Sequence, residues 1–203
     1  NEGRSAQHGL STKDDDRYLR CWWEVPSEEV CPPSVHPDQW ESRYCVRGYR
    51  WFPFAKGGEY AQYYSTPHLV VNWHNEGREI ESDVLNKYSY LEGNAEWVLH
   101  RECDYYRPGL TWTVATTSRF NIRILPKGCL FSDIGQAAFP GSKPNQILCY
   151  SALMNSDPFI GYIMISMGLA DEGRKKYDVG VIRDVPIPKL GKDLKKELKG
   201  KAK

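Results

Sequence analysis

No uncharged run in this chain reaches the roughly 18 apolar residues that a membrane-spanning helix needs. The two longest, Pro144–Ser156 and Pro158–Ala170, are divided by Asp157, so no transmembrane segment is expected. The opening residues, Asn1-Glu2-Gly3-Arg4-Ser5, hold neither an initiator Met nor an apolar signal region, and the chain reads as a cytoplasmic piece cut from something longer. The six cysteines (21, 31, 45, 103, 129 and 149) include no Cys-x-x-Cys pair, and no two histidines have zinc-finger spacing. No structural zinc or other metal is expected, and the thiols read as reduced and mostly buried.

Catalytic signatures are missing as well. There is no Gly-rich turn of the kind that holds S-adenosylmethionine after a first strand, and no Asn/Asp-Pro-Pro-aromatic run to hold a target amine beside its methyl group. Asp157-Pro158-Phe159 has half of that run, and its single Pro reads as a helix start. A Gly-x-Ser-x-Gly elbow, a P-loop and a dinucleotide fingerprint are all absent. Asp14-Asp15-Asp16 reads as a solvated helix start, and no paired nuclease carboxylates accompany it. The expectation is a chain without a catalytic centre.

What is present is a folded, aromatic-rich domain. Among 203 residues, 40% are hydrophobic and 13% aromatic, with seven Trp and thirteen Tyr, a content that excludes disorder and suits one domain. The net charge of +1 conceals a pattern. Seven Lys against Asp193 and Glu197 put +5 on Lys189–Lys203. Asp14–Glu41 and Glu76–Asp104 carry −6 and −5, whereas Arg43–Pro67 carries +3 and Tyr105–Gly128 carries +4 with no acid at all. Two basic, aromatic segments alternate with acidic ones. Either they converge into one positive groove with negative flanks, as a nucleic-acid binder needs, or they are separate solvated faces.

Local patterns predict a short helix over Asp14–Val25, a loop over Pro26–Pro37, a strand over Tyr44–Phe54 ended by Pro53, and a turn at Lys56–Glu59. His68–Trp73 reads as a strand, Glu76-Gly77 as a turn, and Gly109–Leu125 alternates as strands do. Helices are expected from Pro144 through Asn155 and from Pro158 to Gly168. A last strand follows at Tyr177–Ile182, then an extended exit at Pro186–Pro188 and a basic linker or helix start over 189–203. The predicted fold class is α+β, a twisted, mostly antiparallel or mixed sheet with a few short helices.

Two features carry chemistry. Tyr105–Thr113, continuing through Thr116–Phe120, sets Arg and small hydroxyls among aromatics, a combination suited to phosphate oxygens and guanine edges. Trp51–Tyr60 contains Lys56-Gly57-Gly58, whose amides are able to receive a phosphate. The bland readings are a strand edge and a hairpin turn.

Five runs resemble, in order, the C-terminal part of the PglX-like adenine-specific DNA methyltransferases of BREX phage-defence systems and of related large restriction–modification methyltransferases. They are His8–Tyr18 with Trp22–Val25; Trp51–Glu59; Leu69–Trp73 with Gly77 and Ile80; Tyr106–Trp112; and Tyr177–Ile182 with Pro186–Pro188. One departure is Lys13, where the family usually has Gly. The resemblance implies a target recognition domain over 1–188 that reads duplex DNA. The S-adenosylmethionine site and the methyl-transfer centre would then belong to an upstream methyltransferase domain. On that reading Lys13, Lys56, Gly57, Gly58, Arg107, Thr111, Ser118 and Arg119 are the candidate DNA contacts, and Tyr63, Tyr64 and Trp112 the groove wall. The alternative is an interaction module, whose partner is another defence-complex protein or a phage DNA-mimic inhibitor. An independent metal-dependent nuclease is a third class.

Overall fold

The apolar run expected to be a strand at His68–Trp73 is the spine of one sheet. A computed structural model describes residues 5–33, 48–141, 144–168 and 173–187. Cys45, residues 44–47 of the expected second strand, part of the 26–37 loop and the basic 189–203 segment lie outside them. In chain order the strands are β1 (Ser5–Gln7), β2 (Leu19–Cys21), β3 (Trp51–Ala55), β4 (Leu69–Asn72), β5 (Gly109–Thr111), β6 (Ala115–Thr116), β7 (Arg123–Leu125), β8 (Leu130–Phe131), β9 (Ala137–Phe139) and β10 (Lys175–Lys176). The helices are α1 (Asp15–Tyr18), α2 (Arg78–Lys87), α3 (Glu96–Leu99), α4 (Pro144–Met154), α5 (Asp157–Ser166) and α6 (Val179–Asp184).

The fold is α+β, as expected. One four-stranded sheet runs β2-β4-β3-β8, antiparallel except for the parallel β3–β8 pair; a second, fully antiparallel, runs β1-β9-β5-β7; β6 and β10 form a two-stranded ribbon. The second sheet separates two cores. Because successive strand side chains point to opposite faces, Leu125, Ala137 and Phe139 enter one core with Phe52, Val71, Phe131, Ile80 and Leu99. Their neighbours Leu110 and Ala138 face the other core, formed with Ile147, Ile160, Ile163 and Ile182 of α4, α5 and α6. The N-terminal segment ties both sheets together: β1 pairs with β9, and Leu10 bridges to Ser132 beyond β8. Between them Gly9 passes so close to β8 that a Cβ would sit 2.0 Å from the Phe131 carbonyl oxygen, which only glycine allows.

Three local expectations are corrected. The helix starting at Asp14 does form, with the Asp14 side chain accepting from the Arg17 amide at 3.1 Å, but it ends after one turn. Leu19–Cys21 instead pairs with Val71–Leu69 of β4, because an edge partner supplies backbone hydrogen bonds that a short helix on its own cannot sustain. Pro53 does not end its strand. Trp51 and Ala55, two residues to either side, turn their carbonyls to one edge, toward Cys31 and Ser132. Val30 bridges that edge at Trp51 and β8 begins at Phe54, so the missing Pro53 N–H falls in the gap. Tyr177–Ile182 is not a strand: Asp178 caps α6 by accepting from the Gly180 amide, and Val179 and Ile182, three apart, share its buried face. The strand there is the basic pair Lys175–Lys176, antiparallel to Thr116–Ala115.

The Pro158 helix start is seen, with Pro in the first turn of α5 and Phe159 buried. Of the described cysteines, 31, 103, 129 and 149 are buried and Cys21 is half-buried. Among the described residues no helix is long and apolar enough to cross a membrane.

Candidate nucleic-acid interface

The two basic segments lie side by side. The chain after β3 runs along the strands and turns of 113–124: Thr113 Oγ1 donates to the Gly58 carbonyl at 3.0 Å, the Ala61 amide donates to Asn121 Oδ1 at 3.4 Å, and the Tyr63 amide donates to the Ile122 carbonyl at 3.0 Å. The Ile124 amide returns a bond to the Tyr63 carbonyl at 2.8 Å. Tyr63 adopts a left-handed φ of 67°, an uncommon state for a bulky residue and a sign that the surrounding bonds hold it. This turn presents Tyr60, Tyr63 and Tyr64 to solvent, Tyr64 at 57% exposure.

The acidic segments associate with each other in the same way. Arg17 of α1 pairs with Glu79 at 2.9 Å and with Asp83, both on α2, and Arg101 joins Glu81 of α2 to Glu96 of α3. Within the described residues, basic segment thus meets basic segment and acidic meets acidic, with Lys56–Asp15 as a contact between the two kinds.

Exposed candidates fall into two places. Arg119 lies near Tyr60, paired with the mostly exposed Asp157 at the start of α5, and this carboxylate pushes the guanidinium above its ordinary value. Ser118, half-buried, has its amide donated to Thr116 Oγ1 at 3.0 Å. The β6–β10 ribbon beside them adds Lys175 and Lys176, the latter 3.7 Å from Asp178. Lys13 and Lys56 meet elsewhere, on a cleft of about 270 Å³ that Asp15 and Asp133 also line. Lys56 pairs with Asp15, and burial lowers its ammonium below the ordinary value, with the Asp133 charge opposing. Lys13 takes φ 58°, the left-handed conformation that glycine adopts without strain. Gly57 and Gly58 have φ 92° and 122°; Gly58 is exposed and its carbonyl, as noted, is taken by Thr113.

Three candidates belong to the interior and do not line a groove. Trp112 is 0% exposed, its indole N–H donating to the Tyr177 carbonyl at 2.7 Å. The Thr111 hydroxyl is buried against the Gly135 and Gln136 carbonyls. The Arg107 side chain, 14% exposed, packs over the Phe139 ring and pairs with Asp104 at 3.2 Å. Within a strand, alternation decides which residue faces out, and the register that sets it comes from distant partners.

Sequence reading passed over Arg123, Lys175, Lys176 and Tyr60. Arg123 is 3% exposed and braces the contact between the segments, Nη1 donating to the Glu59 carbonyl at 3.1 Å and Nη2 to Thr113 Oγ1 at 3.0 Å. Burial lowers its guanidinium from the ordinary value. The acid-free stretch around Arg123 was the available signal. The Asp14–Asp16 run serves the helix start, Asp14 as its cap and Asp15 accepting from Thr12 Oγ1 at 2.6 Å. Among the described residues no three His, Cys, Asp or Glu side chains are grouped to hold a metal ion.

No family model matches the chain. It is 24% identical over 185 residues to the adenine-specific methyltransferase PglX of Lacticaseibacillus casei (strain Zhang), covering 91% of this chain and 14% of that protein. It is 31% identical over 190 residues to the adenine-specific methyltransferase BrxX of Escherichia coli O9:H4 (strain HS), covering 92% of this chain and 13% of that one. The chain thus spans about one seventh of the curated relatives it matches, and over nine tenths of its own length it is similar to a region of the adenine-specific methyltransferases PglX and BrxX.

Proposed function

We propose that this chain is the target recognition region of an adenine-N6 DNA methyltransferase acting in phage defence, a cytoplasmic duplex-DNA-binding module whose methyl-transfer centre lies in another part of the parent protein. The observation that carries the proposal is the meeting of the two basic segments, which sets Tyr60, Tyr63 and Tyr64 beside Arg119 and the β6–β10 lysines. Tyrosines supply flat, amphipathic surface, and Arg, Lys and Ser supply donors for phosphate oxygens. In this reading Ser118, Arg119, Lys175, Lys176, Tyr63, Tyr64 and the backbone at Gly57-Gly58 contact DNA, and Lys13 and Lys56 extend the contact past the Asp15 cleft. Arg107, Thr111 and Trp112 hold the sheet that carries them.

In this reading S-adenosylmethionine would supply the methyl group from a site in another part of the parent protein. At the strand-to-helix step from β4 into α2, the only glycine, Gly77, is filled by the Trp73 ring, 2.6 Å from where a Cβ would stand. The flipped adenine belongs with that other domain.

Fluorescence anisotropy of a random-sequence duplex against the 203-residue chain, at several salt concentrations, tests the proposal. A log–log slope of about −0.9 for each phosphate contacted is expected. Absence of binding at low salt would overturn it.

A further inference from the structure

Among the described residues, Arg123 is a buried cation without an anion. Its two hydrogen bonds go to neutral oxygens, the Glu59 carbonyl and the Thr113 hydroxyl, leaving three of its five N–H donors without a protein acceptor among the described residues. The other well-packed arginines of the fold are treated differently. Arg101 is held by Glu81 and Glu96, and Arg107 by Asp104. An unpaired buried guanidinium is costly, so a position that retains one calls for an occupant of opposite charge.

A small pocket adjoins Arg123. It has about 40 Å³ of space, room for about three waters at 10–15 Å³ each. That is too small for a nucleobase and suited to one tetrahedral oxyanion. Arg123 and Thr111 line it from the sheet, Lys56 from the end of β3, and Ser65, Thr66 and His68 from the segment leading into β4. No Asp or Glu lines it. Because Lys56 turns its ammonium to Asp15 in the neighbouring cleft, Arg123 is the cation of the pocket. Ser65, Thr66 and His68 are exposed, so the mouth is open and edged by side chains able to donate hydrogen bonds.

We propose that this pocket binds a single phosphate group, with Arg123 supplying the charge at its floor and Ser65, Thr66 and His68 the donors at its rim. A DNA-backbone phosphate and free inorganic phosphate share this chemistry. The proposal stands whether or not the chain reads DNA.

Thermal unfolding of the 203-residue chain tests it, with inorganic phosphate titrated against chloride at constant ionic strength. Phosphate raises the midpoint by about 3–6 °C at tenfold above its dissociation constant, and chloride does not. Arg123→Gln abolishes the response. Since that variant alters the interior, Thr66→Glu is the second test, a surface change that sets a carboxylate beside Arg123. It removes the phosphate response and raises the midpoint in chloride, because a built-in anion takes the ligand's place. Equal responses to phosphate and chloride, or a phosphate response that survives Thr66→Glu, would overturn the proposal. Duplex-DNA anisotropy then separates the two sources. A severalfold loss of DNA affinity in Thr66→Glu identifies a backbone phosphate, and unchanged affinity alongside a lost phosphate response identifies the free anion. Failure of the wild-type chain to bind DNA would leave the thermal readout intact.

Discussion

Thr113 stands between Gly58 and Arg123, donating to the carbonyl of one at 3.0 Å and accepting from Nη2 of the other at 3.0 Å. This one hydroxyl couples the turn after β3 to the core of the second sheet. Thr113→Val keeps the shape and removes both bonds, leaving Arg123 with the Glu59 carbonyl alone. The expected cost is about 1–3 kcal/mol in urea unfolding. Amide exchange at Tyr63 and Ile124, which bond each other's segments, should quicken more than exchange at Val71 in the other sheet. A uniform change would place the Thr113 contribution elsewhere.

The Arg119–Asp157 pair holds a DNA candidate beside a carboxylate. If Arg119 contacts phosphate, Arg119→Ala weakens duplex binding at all sequences and reduces the salt slope by about one. Asp157→Asn should act oppositely and strengthen binding, since it frees Arg119 and removes a repulsive charge. Anisotropy across salt concentrations reads both effects. Arg107→Ala, in contrast, should lower stability, because its charge is spent on Asp104 in the interior.

Lys13 has the φ of 58° that glycine accepts at no steric cost. Lys13→Gly is expected to raise stability by about 0.5–1 kcal/mol, the relief of left-handed strain less the added chain entropy of glycine. If Lys13 also meets a phosphate, the same variant binds DNA less well. Denaturation and anisotropy on one preparation would show stability and affinity moving in opposite directions.

Burial pushes the Cys129 thiol up from 9.0 to about 12. The unfolded chain then releases this proton above pH 9 while the folded chain retains it, so its contribution is complete below pH 9 and is lost as pH rises toward 12. The loss is about 1.4 kcal/mol per pH unit across that window. Cys129→Ala should flatten this part of the stability profile, as measured by urea midpoints at stepped pH. A slope unchanged by the substitution would assign the alkaline loss to other groups, such as the buried Tyr105, whose phenol burial also raises.

Some of this protein is legible in its residues alone. Pro158 begins a helix because its ring presets φ and it needs no N–H there; Val70 and Val71 make a strand because branched side chains pack on a pleated surface. The resemblance of five runs to PglX-like methyltransferases and the alternation of charge are likewise properties of residue order. Tertiary contact decided the rest. Leu19–Cys21 carries a helical pattern and is a strand, because β4 offers an edge; Val179–Ile182 alternates like a strand and is a helix, because Asp178 caps it and α5 packs beside it. Trp112 and Arg107 look like surface chemistry and face inward, whereas Arg123 drew no notice and sits at the junction of the basic segments. Secondary-structure preference amounts to a few tenths of a kcal/mol per residue, and burial or a strand partner outweighs it. Which side chain meets solvent depends on register, and register is set by residues far along the chain.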